Sequence, residues 1–305
     1  MSGVIGDPTP VTPELLRATP LPRHRQGDDK DGRGRVLVVA GSVEVPGAAL
    51  LCGIGALRAG AGKLQMATCR SVAPHLGMAA PEALVAGLDE TPGGGISAEE
   101  ADKLAKRAGR CDALLLGPGM ADGDGEAAAL TKRVLERMDP GPVVVLDAAA
   151  LPDLEDGPAA LRRHSGRVVL TPHAGEMAKL LGVPKEEVEA DPLGAGRRAA
   201  GALGAVVAMK GGCTFVVDPG GAAWSCDLGQ VGLATSGSGD TLAGLVAGLA
   251  ARGASPVEAT VWGVFLHAEA GNRLARTRGP VGFLARELLA EVPSIMAGLG
   301  PAEPG

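Results

Sequence analysis

"RVLVVAGSVEVPGAALLCGIGALRAGAGKLQMAT" occupies residues 35–68, and its reading sets the fold class. A β-branched apolar run over 35–42 is followed by an alanine-rich helical run over 46–62 and a second short apolar run over 64–68. Strands that are apolar at nearly every position, rather than at alternate ones, are buried on both faces, as in a parallel sheet covered by helices. The alternation recurs. "DALLLGPG" (112–119) precedes "EAAALTKRVLERM" (126–138), "PVVVLDA" (142–148) stands alone, "RVVLTPH" (167–173) precedes "GEMAKLLG" (175–182), and "AVVAMKGG" (205–212) follows. The expected class is α/β, with a mostly parallel sheet.

Local signals add detail. "CTFVVDPGGAAWSC" (213–226) reads as two strands around a Pro-Gly-Gly turn, an antiparallel hairpin at the sheet's edge. Ser97 and Glu100 in "SAEEADKLAKRAGR" predict a capping box. Residues 1–32 are expected to be a flexible lead-in and 299–305 a frayed tail, leaving one domain over 33–298.

Composition removes several function classes. The net charge is −6, tyrosine is absent, and neither a basic tract nor interleaved aromatics occur, which argues against a nucleic-acid partner. Cys52, Cys69, Cys111, Cys213 and Cys226 are scattered, odd in number and never spaced as CxxC, so they read as reduced thiols. The N-terminus is polar and proline-rich, and no run is long and apolar enough to span a bilayer. No membrane partner is expected, and the cytoplasm is the expected compartment.

In doubly wound sheets ligands bind beyond the carboxyl ends of the strands. Here those ends are Gly41-Ser42, Gly117-Pro118-Gly119, Asp147-Ala148, Thr171-Pro172-His173 and Lys210-Gly211-Gly212. They are joined by Gly237-Ser238-Gly239-Asp240 in "GLATSGSGDTLAGLVAGLAARG" (232–253). A helix over 241–251 would aim its first amides into that loop, outlining an anion site. Asp240 as a plain helix cap is an equal alternative at this point. The common nucleotide motifs are missing: Gly62-Lys63 lacks the P-loop glycine and hydroxyl, and neither Gly53-x-Gly55 nor Gly237-x-Gly239 completes a dinucleotide fingerprint. No G-x-S-x-G elbow or metal-ligand motif occurs, so no metal-ligating residue is assigned.

"SGSGDTLAG" resembles the G-x-G-D anion-hole loop of the ribokinase-like superfamily. With "GRVLVVAGS", "LLLGPGM", "VVLDAAAL", "VLTPHAGEMAKLLG" and "VVAMKGGCTFV", the chain is similar to the nucleotide-dependent NAD(P)H-hydrate dehydratase family over residues 33–296. "TPHAGE" between "VLDA" and "KGG" is the most specific part of the likeness. The resemblance implies a three-layer α/β/α sandwich with a mostly parallel central sheet. It also implies ADP- or ATP-dependent removal of water from the S epimer of hydrated NADH or NADPH, with Mg²⁺. In the alternative, the same fold phosphorylates a vitamin precursor. A nucleotide sensor without catalysis is a third reading.

The resemblance assigns residues. Asp240 is the catalytic base and also touches substrate. The amides of Gly237, Ser238 and Gly239 form the anion hole, and Gly239 also contacts the nucleotide. Lys210, Gly211, Gly212, Cys213 and Thr214 bind the nucleotide, while Ala48, Gly119 and His173 meet the hydrated dinucleotide. For Lys210 an exposed lysine before a Gly-Gly turn stays open, for His173 a backbone-bonded helix entry, and for Ala48 and Gly119 simple packing. Asp147 holds a water or Mg²⁺, or is merely solvated. His24, His75, His164 and His267 are set aside as bystanders. Two departures stand out: Asp147-Ala148-Ala149 where the family commonly has Asp-Ala-Asp, and Val45-Pro46 where an aromatic is frequent. An epimerase, if it cooperates, is expected as a separate chain, and a homo-oligomer is expected.

Overall fold

The computed structural model describes residues 6–23, 30, 32–121, 125–152, 154 and 158–300. The assignment of His24, parts of the expected lead-in and the last five residues lie outside that set. In chain order the strands are β1 (Thr9–Pro10), β2 (Arg35–Val39), β3 (Lys63–Cys69), β4 (Ala83–Leu88), β5 (Ala113–Leu116), β6 (Val143–Leu146), β7 (Val168–Leu170), β8 (Val206–Met209), β9 (Thr214–Val217) and β10 (Ala223–Cys226). They form one sheet in the order β1-β10-β9-β8-β7-β6-β5-β2-β3-β4. From β4 to β8 every neighbour is parallel, and β9 is antiparallel to both β8 and β10.

The helices are α1 (Pro13–Ala18), α2 (Gly47–Arg58), α3 (Ala73–Ala79), α4 (Ala101–Ala108), α5 (Glu126–Arg137), α6 (Pro158–Arg162), α7 (Ala174–Leu181), α8 (Lys185–Ala190), α9 (Pro192–Leu203), α10 (Ser238–Ala251), α11 (Pro256–Arg278) and α12 (Ala285–Leu299). Successive strand residues point to opposite faces. Val36, Val38, Leu115 and Val145 therefore meet α2, α10, α11 and α12, whereas Leu37, Val39, Leu116 and Leu146 meet α4, α5, α7 and α9. Both faces are dry, which is why these strands are apolar throughout. No described helix is long and apolar enough to cross a membrane.

Helix α10 is glycine-rich because it lies almost backbone to backbone with α2. A Cβ on Gly244 or Gly248 would run into the backbone of Cys52 or Ala56. That closeness fixes where α10 begins, with Cys52 Sγ donating to the Asp240 carbonyl (3.1 Å).

Several expectations need correction. The lead-in packs on the domain over its described part. Val11 N donates to Ser225 O (2.8 Å), Leu16 is fully buried, Trp262 Nε1 donates to Thr19 O (2.9 Å) and Arg252 Nη2 to Pro22 O (3.1 Å). The signal lay in Thr12-Pro13-Glu14: Thr12 caps α1 and Pro13 stands in its first turn. The hairpin β9–β10 forms, but β1 adds a short parallel strand outside it. The Ser97–Glu100 capping box does not form, because Glu100 turns inward to accept from Asp89 N (3.4 Å) and Lys103 Nζ (2.8 Å). Leu299 closes α12 instead of opening a frayed tail. Strand β4 was passed over; its residues are mostly half-exposed and carry a weak apolar signal. All five cysteines are free.

Candidate active site

The carboxyl ends of the parallel strands share one rim, and backbone bonds tie the rim loops together. Gly41 N donates to Pro118 O (2.8 Å) across β2 and β5, and Lys210 N to Pro172 O (2.8 Å) across β7 and β8. At the centre lies Asp147, 2% exposed, whose Oδ1 accepts from Thr171 Oγ1 (2.6 Å) and from Lys210 Nζ (2.9 Å). Lys210 Nζ also lies 3.6 Å from Glu176 Oε2. Burial works against the charge on Lys210, but these two carboxylates more than offset it and hold its pKa above the usual lysine value. The next residue, Ala148, has φ +49°, a left-handed conformation that non-glycine residues adopt at a cost of about 1–2 kcal/mol.

Helix α10 starts at Ser238, three residues earlier than expected, so Asp240 sits in its first turn. Its N-cap is Gly237 at φ +85°, and no side chain caps it. The cap reading of Asp240 fails on this point. Ser238 N is already spent on Thr235 O (3.2 Å). Of the three expected amides this leaves Gly237 and Gly239, joined by Asp240's own, without a bond among the described residues. The Asp240 carboxylate likewise has no hydrogen bond among the described residues. Burial first, and the negative Asp147 second, push its pKa up to about 6 against the opposing pull of Lys210. A Cβ on Gly239 would sit 3.5 Å from Lys210 Nζ, so the Gly237–Asp240 loop and the Lys210 turn face one space.

The remaining predicted residues spread around this centre. Gly211 and Gly212 are exposed in the β8–β9 turn, with Cys213 and Thr214 half-buried beside them. His173 is the N-cap of α7: Nδ1 accepts from Gly175 N (3.0 Å) and Glu176 N (3.2 Å), while Glu176 Oε2 accepts from His173 N (2.8 Å). The helix-entry alternative is thus realised, with the rest of the ring exposed. Ala48 is 2% exposed and touches Gly119. Gly119 has φ +64°, and a Cβ there would collide with that of Ala48 and stand 2.9 Å from Val45 O, so packing alone requires both residues to be small.

Sequence reasoning missed His267. Its Nε2 is hydrogen-bonded to Ser238 Oγ (2.9 Å), directly behind the loop. Desolvation lowers its pKa to about 4, with Lys210 pushing the same way and a Ser238 backbone bond opposing, so the ring is neutral at neutral pH. No sequence signal could have paired residues on two separate helices. From the rim a cavity of about 810 Å³ descends between α5 and α7, with Gly119, Ala148, His173 and Glu176 at its upper end. Asp240 does not line it.

A profile of the NAD(P)H-hydrate dehydratase family matches residues 36–294. The chain belongs to the NAD(P)H-hydrate dehydratase family. It is 51% identical over 287 residues to the ADP-dependent (S)-NAD(P)H-hydrate dehydratase of Xanthomonas campestris, covering 94% of this chain and 95% of the relative. It is 38% identical over 279 residues to the bifunctional NAD(P)H-hydrate repair enzyme of Moorella thermoacetica, covering 92% of this chain and 52% of that enzyme. The crystal structure of the ADP/ATP-dependent NAD(P)H-hydrate dehydratase of Bacillus subtilis, co-crystallised with ATP/Mg²⁺, superposes with a TM-score of 0.79 at 29% identity, over 96% of this chain and 99% of that one. The dehydratase fold is the expected three-layer sandwich. Its rim brings together Asp147, Lys210, Gly239 and Asp240 from three separate places in the chain.

Proposed function

We propose that this dehydratase restores NADH and NADPH from their S-hydrates, using ADP or ATP as phosphoryl donor and Asp240 as the base. What carries the reading is the start of α10: amides and a carboxylate that make no hydrogen bond among the described residues, with the carboxylate's pKa raised to about 6. Hydroxide is a poor leaving group, so the C6 hydroxyl of the hydrated ring is first phosphorylated. Asp240 takes the hydroxyl proton as the new O–P bond forms and the donor's bridging P–O bond breaks. A base with a pKa this close to neutral is ionised at pH 7 yet basic enough to accept a proton, and a positioned base contributes about 10²–10⁴-fold. The amides of Gly237 and Gly239, with the helix dipole behind them, face the phosphoryl oxygens. Lys210, held charged by Asp147 and Glu176, adds a cation to the same space. The ring nitrogen's lone pair then expels phosphate with the C6–O electrons, and loss of a C5 proton restores the dihydropyridine.

Among the described residues no three potential ligand side chains cluster. That donor set suits Mg²⁺ carried on nucleotide phosphates, which needs one or two carboxylates at most. Asp147 would hold it, and the ion would neutralise phosphate charge. The turn from Lys210 to Thr214 takes the nucleotide, and Gly119 and the outer face of His173 take the dinucleotide. Only one epimer can offer its hydroxyl to Asp240, so use of the other requires an epimerase activity that converts it into the reactive one. Val231, Val281 and Leu284 are exposed on adjacent loops and suit a second copy of the chain, which sedimentation tests. A substrate formed from NADH and NADPH fits a cytoplasmic setting.

The deciding experiment mixes purified protein, Mg²⁺ and hydrated NADH with ADP or ATP. Dihydronicotinamide absorbance should rise as free phosphate appears. A stable phosphorylated product with no gain in absorbance would identify a kinase instead.

A further inference from the structure

We propose that the cavity between α5 and α7 is the subsite for the adenylate half of the hydrated dinucleotide, with Lys132 and Lys179 receiving its phosphates. This rests on the reading of the rim as the place where the hydrated ring reacts.

The cavity and the reacting centre meet at one point. Helix α10 packs on β5 and β6 from one side of the sheet, bringing Asp240 to the end of β6. The cavity lies on the other side of the same strands, lined by Leu146 of β6 and opening at Ala148, directly after Asp147. A ligand with its ring at Asp240 can therefore pass over Ala148 and down between the helices. The volume of about 810 Å³ lies within the range of small-molecule sites, roughly 300–1,000 Å³.

The walls describe what fits. Ala128, Ala149, Leu135, Leu161 and Leu180 offer small, flat, apolar surfaces. The hydroxyl of Thr131 is already committed to Ala127 O (2.8 Å). Such a slot takes a flat heteroaromatic ring by contact rather than by hydrogen bonding. The cations are equally telling. Lys132 and Lys179 line the cavity, are exposed and have no ion pair among the described residues, whereas Arg133 and Arg137 on α5 are paired to Glu99 and Asp102. Among the described residues the one acidic side chain on the cavity wall, Glu176, lies beside Lys210. An apolar slot flanked by two ammonium groups with no ion pair among the described residues matches an adenine ring attached to phosphate. The donor nucleotide does not compete for it, because the Lys210–Thr214 turn lies beyond Glu176.

The test fills the slot from its exposed edge with Ala128→Trp and removes the cations with the double variant Lys132→Ala/Lys179→Ala. Ala128→Trp should raise the KM for hydrated NADH at least tenfold, leaving the KM for hydrated reduced nicotinamide mononucleotide and for ATP unchanged. An equal rise for mononucleotide and dinucleotide, or no rise for either, overturns the proposal. In the lysine variant a selective loss for hydrated NADPH identifies the 2′-phosphate as the partner. An equal loss for both dinucleotides identifies the pyrophosphate, and no loss for either overturns the phosphate assignment.

Calorimetry with adenosine 2′,5′-bisphosphate, in the presence of saturating non-hydrolysable ATP, reads the subsite without turnover. Binding to the wild type that is lost in Ala128→Trp supports the subsite, and no binding to the wild type removes it. Binding of this probe without turnover of any hydrate would fault the proposed reaction and leave the subsite standing.

Discussion

Helices α7 and α10 both start on the rim, and they start in opposite ways. At α7 the His173 ring and the Glu176 carboxylate close the cap, so the first amides already have acceptors three residues or fewer away. At α10 the cap is Gly237, whose lack of a side chain leaves the amides open and allows φ +85°. A closed helix start is a structural stop, whereas an open one beside a lysine and a half-buried carboxylate is a place for an anion. Motif residues of similar standing in the sequence therefore do different work. The histidine of "TPHAGE" is first of all a cap, and the aspartate of "SGSGD" caps nothing.

The largest expected effect tests the open start. Asp240→Asn keeps the side chain's size and removes its ability to take a proton, so turnover should fall at least about a hundredfold while nucleotide still binds. Stability should move the other way. The folded-state pKa of about 6 lies above the ordinary aspartate value of about 3.9, so ionisation destabilises the fold as pH rises through that interval. At pH 8 the variant should melt at or above the wild-type temperature. A rate within a few-fold of wild type, or a clear loss in melting temperature, would make the two helix starts alike after all.

A smaller effect follows pH. With a base near pKa 6, kcat/KM should be flat above pH 7 and about tenfold lower at pH 5. Lys210→Met removes the cation that draws the Asp240 pKa down and should shift this acid limb to higher pH. A limb unmoved by that variant would assign the titration to another group.

The smallest effect belongs to the closed start. His173→Ala should cost about 1 kcal/mol of stability through the lost cap, and His173→Asn should restore most of it, because asparagine caps as well as aspartate does. Thermal melts of the two variants measure the cap. Their KM values for hydrated NADH then report what the exposed face of the ring adds: an equal rise in both gives it a substrate contact as well.

How much of this was legible follows from range. The parallel sheet was readable because Val36–Val39, Leu114–Leu116 and Val143–Leu146 are apolar at every step, a pattern that needs no knowledge of neighbours. The rim was readable because glycines and polar residues interrupt those runs at their carboxyl ends. The Ser97–Glu100 pattern misled because Glu100 found a better partner in Lys103 and the Asp89 amide than in its own helix start. The packed lead-in was missed because a short helix with one buried leucine, Leu16, carries little periodic signal.

The sequence alone determined the α/β class, the strand-end loops and the family, because local propensity, apolar runs and loop motifs are written in neighbouring residues. Only the tertiary structure decided which of those loops share a space. It brought Lys210 to Asp147 across 63 positions and His267 to Ser238 across 29, left the Asp240 carboxylate without a hydrogen bond among the described residues, and opened a cavity behind Ala148. The physical reason is that a group's charge, its solvation and the anions it can hold are set by the groups packed around it, and those come from distant parts of the chain.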